Sequence, residues 1–274
     1  MISMEKTKVL KYVKKIAIWA IGLYFAAGVI LYFVQNKLIF HPEVLPVNYQ
    51  YKFDIPFQEL LIPVNKKVKL SAVLFKANRP RGMVLYFHGN SSNINRYAKA
   101  APDFTQHGYD VLMMDYREFG KSTGRLTEAA MYEDALLMYK VARSRFAPWQ
   151  IVIYGKSLGT GIAAHLASVR DCRRLLLETP YYSLEDVASQ AAPIYPYSLM
   201  LDFNLPTYEY LPAVTAPVTI FHGTEDETVP YASGKKLQEL LKKDDEFVTI
   251  PDGGHNNLRD YPLYRRKLDS VMAL

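Results

Sequence analysis

The hydrophobic pattern of this 274-residue chain changes character twice. Residues 16–34 (IAIWAIGLYFAAGVILYFV) form an apolar run of 19 without a charge. As a helix rising about 1.5 Å per residue the run extends about 28 Å, close to the hydrocarbon thickness of a bilayer, and it is expected to be an uncleaved membrane anchor. A cleavable signal peptide is the competing reading. Its apolar core is shorter and is followed by small residues, whereas Ala26-Ala27-Gly28 lies inside this run. Residues 35–56 show no periodicity, contain Pro42, Pro46 and Pro56, and read as a short linker.

From residue 57 onward short strand-like runs alternate with helical stripes. Residues 59–64 (ELLIPV) and 68–75 (VKLSAVLF) read as an antiparallel pair turning at Asn65-Lys66-Lys67. Further strands are expected at 82–87 (GMVLYF), 109–115 (YDVLMMD), 151–154 (IVIY), 174–178 (RLLLE), 218–222 (VTIFH) and 246–250 (EFVTI). Helices are expected over 94–107, 127–146 (with Thr127 as N-cap), 158–169, 231–243 and 260–272. Such alternation implies an α/β fold, a mostly parallel central sheet with helices on both faces. The ligand site of such a sheet lies beyond the carboxyl ends of its strands.

Composition narrows the function. Half the residues are apolar and 22% are charged, as in a globular chain. The net charge is +6, but Lys6, Lys8, Lys11, Lys14 and Lys15 against Glu5 place +4 of it in residues 1–15, leaving +2 for the rest. The basic balance therefore does not point to nucleic acid. It marks a basic tail that stays cytoplasmic, with the remainder of the chain on the non-cytoplasmic side. Cys172 is alone and forms no internal disulfide; it reads as a packing residue. No ligand cluster for a metal and no cofactor motif is present in the sequence, so neither is expected.

At one strand end stands Gly155-Lys156-Ser157-Leu158-Gly159. A serine on a sharp strand-to-helix turn needs small neighbours two positions away on either side, and the following helix N-terminus offers it free N–H groups. Ser157 is the expected nucleophile. A serine hydroxyl needs a base, and His255, in the loop PDGGHNN after the last strand, is the candidate. His88 and His222 precede glycines and read as structural; His165 is expected to pack; His41 and His107 lie in the linker and at a helix end. Two carboxylates compete to orient His255: Asp226, 29 residues before it in HGTEDETVP, and Glu178 at the end of the strand at 174–178. Asp226 is preferred because the loops after the last two strands adjoin. The oxyanion donors are expected to be the backbone N–H groups of Leu158 and of Asn90, in the loop HGNSSN.

HGN, DYREFGKSTG, GKSLG, HGTEDETVP and GGHNN, in this order over about residues 57–274, resemble the α/β-hydrolase superfamily. With the anchor and KLIFHP (37–42) the chain is similar to a membrane-anchored branch that includes bud-emergence homologues and protein-depalmitoylating thioesterases. That branch has glycine after Asp-Tyr-Arg, where this chain has Glu118. The resemblance implies acylation of Ser157 and deacylation by water activated by His255. The substrate would be a carboxylic ester or thioester, lipid-like in kind. A serine aminopeptidase or amidase on the same residues, and an inactive anchored binding protein, are the alternatives.

Between the strands at 174–178 and 218–222 lies an insert, the expected lid, at about 180–216. It carries Tyr181, Tyr182, Tyr195, Tyr197, Phe203, Tyr208 and Tyr210. These aromatics either pack on the domain or wall an acyl-chain site. Lys156 reads either as a solvated lysine or as a contact for an anionic head group.

Overall fold

The computed structural model describes residues 2–273, with side chains from Leu10 onward. Met1, Leu274 and the side chains of residues 2–9, among them Lys6 and Lys8 of the basic tail, lie outside the described residues. Eight strands build one sheet: β1 (Phe57–Pro63), β2 (Lys69–Phe75), β3 (Gly82–Phe87), β4 (Tyr109–Met114), β5 (Ile151–Lys156), β6 (Arg174–Glu178), β7 (Val218–Gly223) and β8 (Glu246–Ile250). Their spatial order is β1-β2-β4-β3-β5-β6-β7-β8. β2 pairs antiparallel with β1 and β4, and every other pairing is parallel. β3, β4, β5 and β7 are buried at every position, which is why they read as continuous apolar runs; edge strand β1 is half exposed. The β1–β2 turn is held by the Asn65 side chain, which accepts from the N–H groups of Lys67 and Val68.

Helices cover both faces. Glu128–Arg143 and Gly159–Val169 pack on one, through Met131, Ala135, Met138, Ile162 and Ala163. Thr127 caps the first of these by accepting from Ala130 N–H. Pro262–Ala273 and the region after β3 cover the other face with Phe104, Tyr264, Leu268 and Met272. The helix expected over 94–107 is instead three short turns, Ile94–Tyr97, Ala98–Ala100 and Pro102–Thr105. Pro102 has no N–H to continue the ladder and serves as the first residue of a new turn. The helix expected over 231–243 is α-helical only across Tyr231–Lys236, then tightens into a 3-10 turn at Leu237–Leu240.

The N-terminal helix α1 (Ile2–Ile39) is continuous, and its section Leu10–Ile39 is long and apolar enough to cross a membrane. It continues five residues past the apolar run. The remainder of the expected linker is seated on the domain. His41–Pro42 pairs in parallel with Ser91–Ser92, Val44 bridges Gly120, and Phe40 and Tyr51 are buried. An irregular stretch with three prolines shows no period, so its aromatic anchors carried the only sign of packing.

The insert between β6 and β7 holds helices Leu184–Ala191, Tyr197–Met200 and Thr207–Tyr210. Several of its aromatics pack on neighbouring rings and backbone. Tyr181 donates to Leu158 C=O; Tyr182 stacks on Tyr208; Tyr210 meets Tyr132 edge-on; Phe203 meets Phe40. Tyr195 stacks on Tyr24 of α1 with ring centroids 4.8 Å apart.

Candidate active site

β5 delivers Ser157 into a turn where its φ is +52°, a left-handed conformation that costs a non-glycine residue about 1–3 kcal/mol. The surroundings hold it there: Ser157 N–H donates to Glu178 C=O at 2.9 Å, and its own carbonyl accepts from Thr160 N–H at 2.9 Å. A Cβ at Gly155 would collide with Gly159 O, Thr160 Cα and Ala163 Cβ, and one at Gly159 with the backbone of Phe87 and His88. Both glycines are therefore required by the close approach of the following helix to β5 and β3.

The loops after β7 and β8 touch at Gly223 and Gly253, where a Cβ on Gly223 would strike the backbone of Gly253. That contact brings the two expected partners to the serine. His255 Nε2 lies 2.9 Å from Ser157 Oγ, and His255 Nδ1 lies 2.8 Å from Asp226 Oδ2. A carboxylate at Nδ1 places the ring proton there and leaves Nε2 free to accept from the serine. Asp226 Oδ1 also accepts from the N–H groups of Thr228 and Val229. Burial pushes its carboxyl up, but hydrogen bonds from His222 and His255 and the charge of His255 outweigh this and hold it well below the usual range. His222, read from the sequence as structural, is buried beneath Asp226 with Nε2 3.4 Å from Oδ2.

Glu178 takes no part in this relay. It is fully buried and ion-paired with Lys156, and it accepts from the hydroxyls of Tyr154 and Tyr264. Burial raises its carboxyl; Lys156 and the two tyrosines more than reverse this, so it lies below the ordinary value. Lys156 is thus not a solvated lysine. It is buried, its charge is matched by Glu178, and it donates to His255 C=O at 3.2 Å. Neighbouring register explains the pairing, because Lys156 and Glu178 lie side by side on parallel strands β5 and β6.

The loop after β3 reaches the serine at Gly89, where an added Cβ would sit 3.6 Å from Ser157 Cβ. The backbone N–H groups of Asn90 and Leu158 make no bond to a protein acceptor among the described residues. The Asp-Tyr-Arg segment braces the loop: Tyr116 OH donates to His88 C=O at 2.7 Å, Asp115 accepts from Ile94 N–H, and Arg117 makes a bidentate pair with Asp134. Glu118 adopts φ +71°, the conformation that favours glycine, and its carboxylate accepts from Leu126 N–H at 2.9 Å. A further support was invisible in the sequence. The Asn90 side chain donates to Ile39 C=O, and Asn90 C=O accepts from His41 N–H at 2.8 Å. The end of α1 is thereby tied to the loop beside Ser157.

The cleft over Ser157 has a volume of about 260 Å³ and is lined by His41, Asn90, Arg96, Lys156, Thr228 and Asn256, among others. No aromatic of the insert between β6 and β7 lines it. His165 stacks on Tyr132, His107 pairs with Asp269, and Cys172 is half-buried with its thiol pushed up by desolvation to about 12, which suits none of them to nucleophilic work here.

A family model described as serine aminopeptidase, S33, matches residues 78–201, a stretch that contains Ser157 and precedes Asp226 and His255. The lysophosphatidylserine lipase ABHD12 of Danio rerio is 28% identical over 283 residues, covering 83% of this chain and 72% of that protein. The Mycobacterium tuberculosis protein Rv2307c, uncharacterized, is 28% identical over 254 residues and 90% of each chain. Among solved structures, the Pyrococcus furiosus esterase Pf2001 matches with a TM-score of 0.68 at 18% identity over 85% of this chain and 96% of its own. The ferulic acid complex of Est1E from Butyrivibrio proteoclasticus matches with a TM-score of 0.62 at 18% identity over 78% and 96%.

Proposed function

We propose that this chain, which belongs to the α/β-hydrolase superfamily, is a membrane-anchored serine hydrolase of carboxylic esters or thioesters. The observation that carries the reading is the unbroken relay from Ser157 Oγ through His255 to Asp226 at the carboxyl edge of the sheet. Ser157 Oγ attacks the acyl carbon as His255 Nε2 takes its proton. The carbonyl oxygen becomes an oxyanion facing the N–H groups of Leu158 and Asn90. Loss of one such donor typically costs about 3 kcal/mol of barrier lowering. Collapse expels the alcohol or thiol, which receives the proton from His255. Water, deprotonated by His255, then attacks the acyl-serine; the bond to Ser157 Oγ breaks, His255 returns the proton to that oxygen, and the acid leaves. Asp226 stays ionised and stabilises the imidazolium in both halves.

A lipid-like ester with an acidic head group fits best. Arg96 lines the cleft and has no ion-pair or hydrogen-bond partner for its side chain among the described residues, and the lysophosphatidylserine lipase relative supports the class. In this reading residues 16–34 cross the bilayer, residues 1–15 stay cytoplasmic, and the domain from residue 57 faces the other side. The serine aminopeptidase description of the family model favours amide chemistry as the second reading. Turnover of a p-nitrophenyl ester against an aminoacyl p-nitroanilide separates them. Ester hydrolysis that vanishes in Ser157→Ala supports the proposal; anilide turnover exceeding ester turnover would transfer it to the amidase.

A further inference from the structure

The lid and the anchor change from apolar to polar at the same level. Residues 187–201 (VASQAAPIYPYSLML) contain no charge, and the first charge after them is Asp202. In the structure Asp202 N–H donates to the Gln35 side chain and its carboxylate meets Asn36, directly past the apolar run 16–34. At the far end of the contact, Tyr24 OH donates to Ile194 C=O at 2.7 Å and Tyr195 OH donates to Tyr24 C=O at 3.2 Å. From Val34 back to Tyr24 is about 15 Å of helix, half the roughly 30 Å of a hydrocarbon core.

A lid tip at that depth must satisfy its own backbone, because hydrocarbon offers no partners. Pro193 and Pro196 have no N–H. Ile194 N–H donates to Ala192 C=O, Tyr197 to Tyr195, Leu199 to Pro196 and Leu201 to Tyr197. Met200 C=O accepts from Gln35. Ile194 and Leu199 point outward, 62% and 83% exposed. Between this tip and α1 lies an open apolar groove of about 450 Å³, lined by residues that include Leu31, Leu38, Val187, Ala191 and Leu201; an exposed apolar surface of this kind suits hydrocarbon.

We infer that residues 192–201 form a membrane-embedded lid tip, clipped to the outer half of the anchor and facing the acyl chains of the leaflet nearest the hydrolase domain. The inference rests on the bilayer-spanning reading of α1 and is independent of the chemistry at Ser157. The test uses the full chain in phosphatidylcholine vesicles, with the environment-sensitive fluorophore NBD on Leu199→Cys and, as control, on exposed Asp244→Cys. Both variants are made in a Cys172→Ser background, so the introduced cysteine is the one thiol available to the probe. The Leu199 probe is expected to emit to the blue of the control and to be quenched about threefold more by mid-chain nitroxide lipid than the control. Resistance to alkaline carbonate extraction is measured on the same sample. Carbonate-resistant protein whose Leu199 probe is quenched by aqueous iodide as the control is overturns the embedded tip alone. Carbonate-extractable protein overturns the anchor reading and the tip with it.

Discussion

Asp226 and Glu178 are two buried carboxylates on neighbouring loops and strands, and they do opposite work. Glu178 is the last residue of β6, so its direction is fixed by the pleat and its register neighbour on β5 is Lys156. The pair neutralises itself, and the tyrosine hydroxyls fill the remaining acceptor sites. Asp226 lies past the end of β7, in a turn whose N–H groups bind one oxygen and leave the carboxylate facing His255. A carboxylate inside a strand becomes structure; one released from the strand becomes available to an adjoining loop.

The comparison breaks most sharply in turnover. Ser157→Ala is expected to lower kcat/KM for a p-nitrophenyl ester by about 10⁴-fold or more with the fold intact. Asp226→Asn, which removes the charge and disturbs the tautomer, is expected to cost about 10³- to 10⁴-fold. Crippled Glu178→Gln beside mild Asp226→Asn would exchange the two roles. The effect expected of Glu178→Gln is on stability instead. It leaves Lys156 buried without a counter-charge, a loss of about 3–5 kcal/mol in denaturant unfolding, with kcat within about tenfold of wild type. Lys156→Met combined with Glu178→Gln should recover much of that loss, since no unpaired charge remains.

Smaller effects sharpen the account. Both carboxyls are held below their ordinary values in the folded protein. Their ionised forms therefore contribute stability that is full above the unfolded-state values, about 4, and lost as pH falls toward the folded-state values. The stability advantage of wild type over Asp226→Asn should accordingly shrink on acidification below about pH 4 in thermal melts. Arg96 is exposed, so Arg96→Ala is expected to raise KM for an anionic lysolipid ester by about fivefold at most, with kcat unchanged. An equal rise for a zwitterionic substrate would remove Arg96 from head-group recognition.

Much of this was legible in the sequence because it depends on local order. Continuous apolar runs marked the buried strands, and the glycines around Ser157 marked a backbone that must pass close to another. The relay was legible through loop order, since parallel strands put successive loops at one edge. The Lys156–Glu178 pair, the tie from Asn90 to Ile39 and the docking of Tyr195 on Tyr24 were not. Each joins segments distant in sequence through register or packing that no local period encodes. The role of the insert's aromatics stayed open for a related reason, because an aromatic side chain looks the same in the sequence whether it faces substrate or a neighbouring ring.

The most direct measurement is fluorophosphonate labelling of the full-length protein, followed by mass spectrometry of its peptides. The account predicts a single phosphonyl adduct on Ser157, formed at a rate that collapses in His255→Ala. An unlabelled Ser157 in folded protein, or an adduct on another residue, would contradict it.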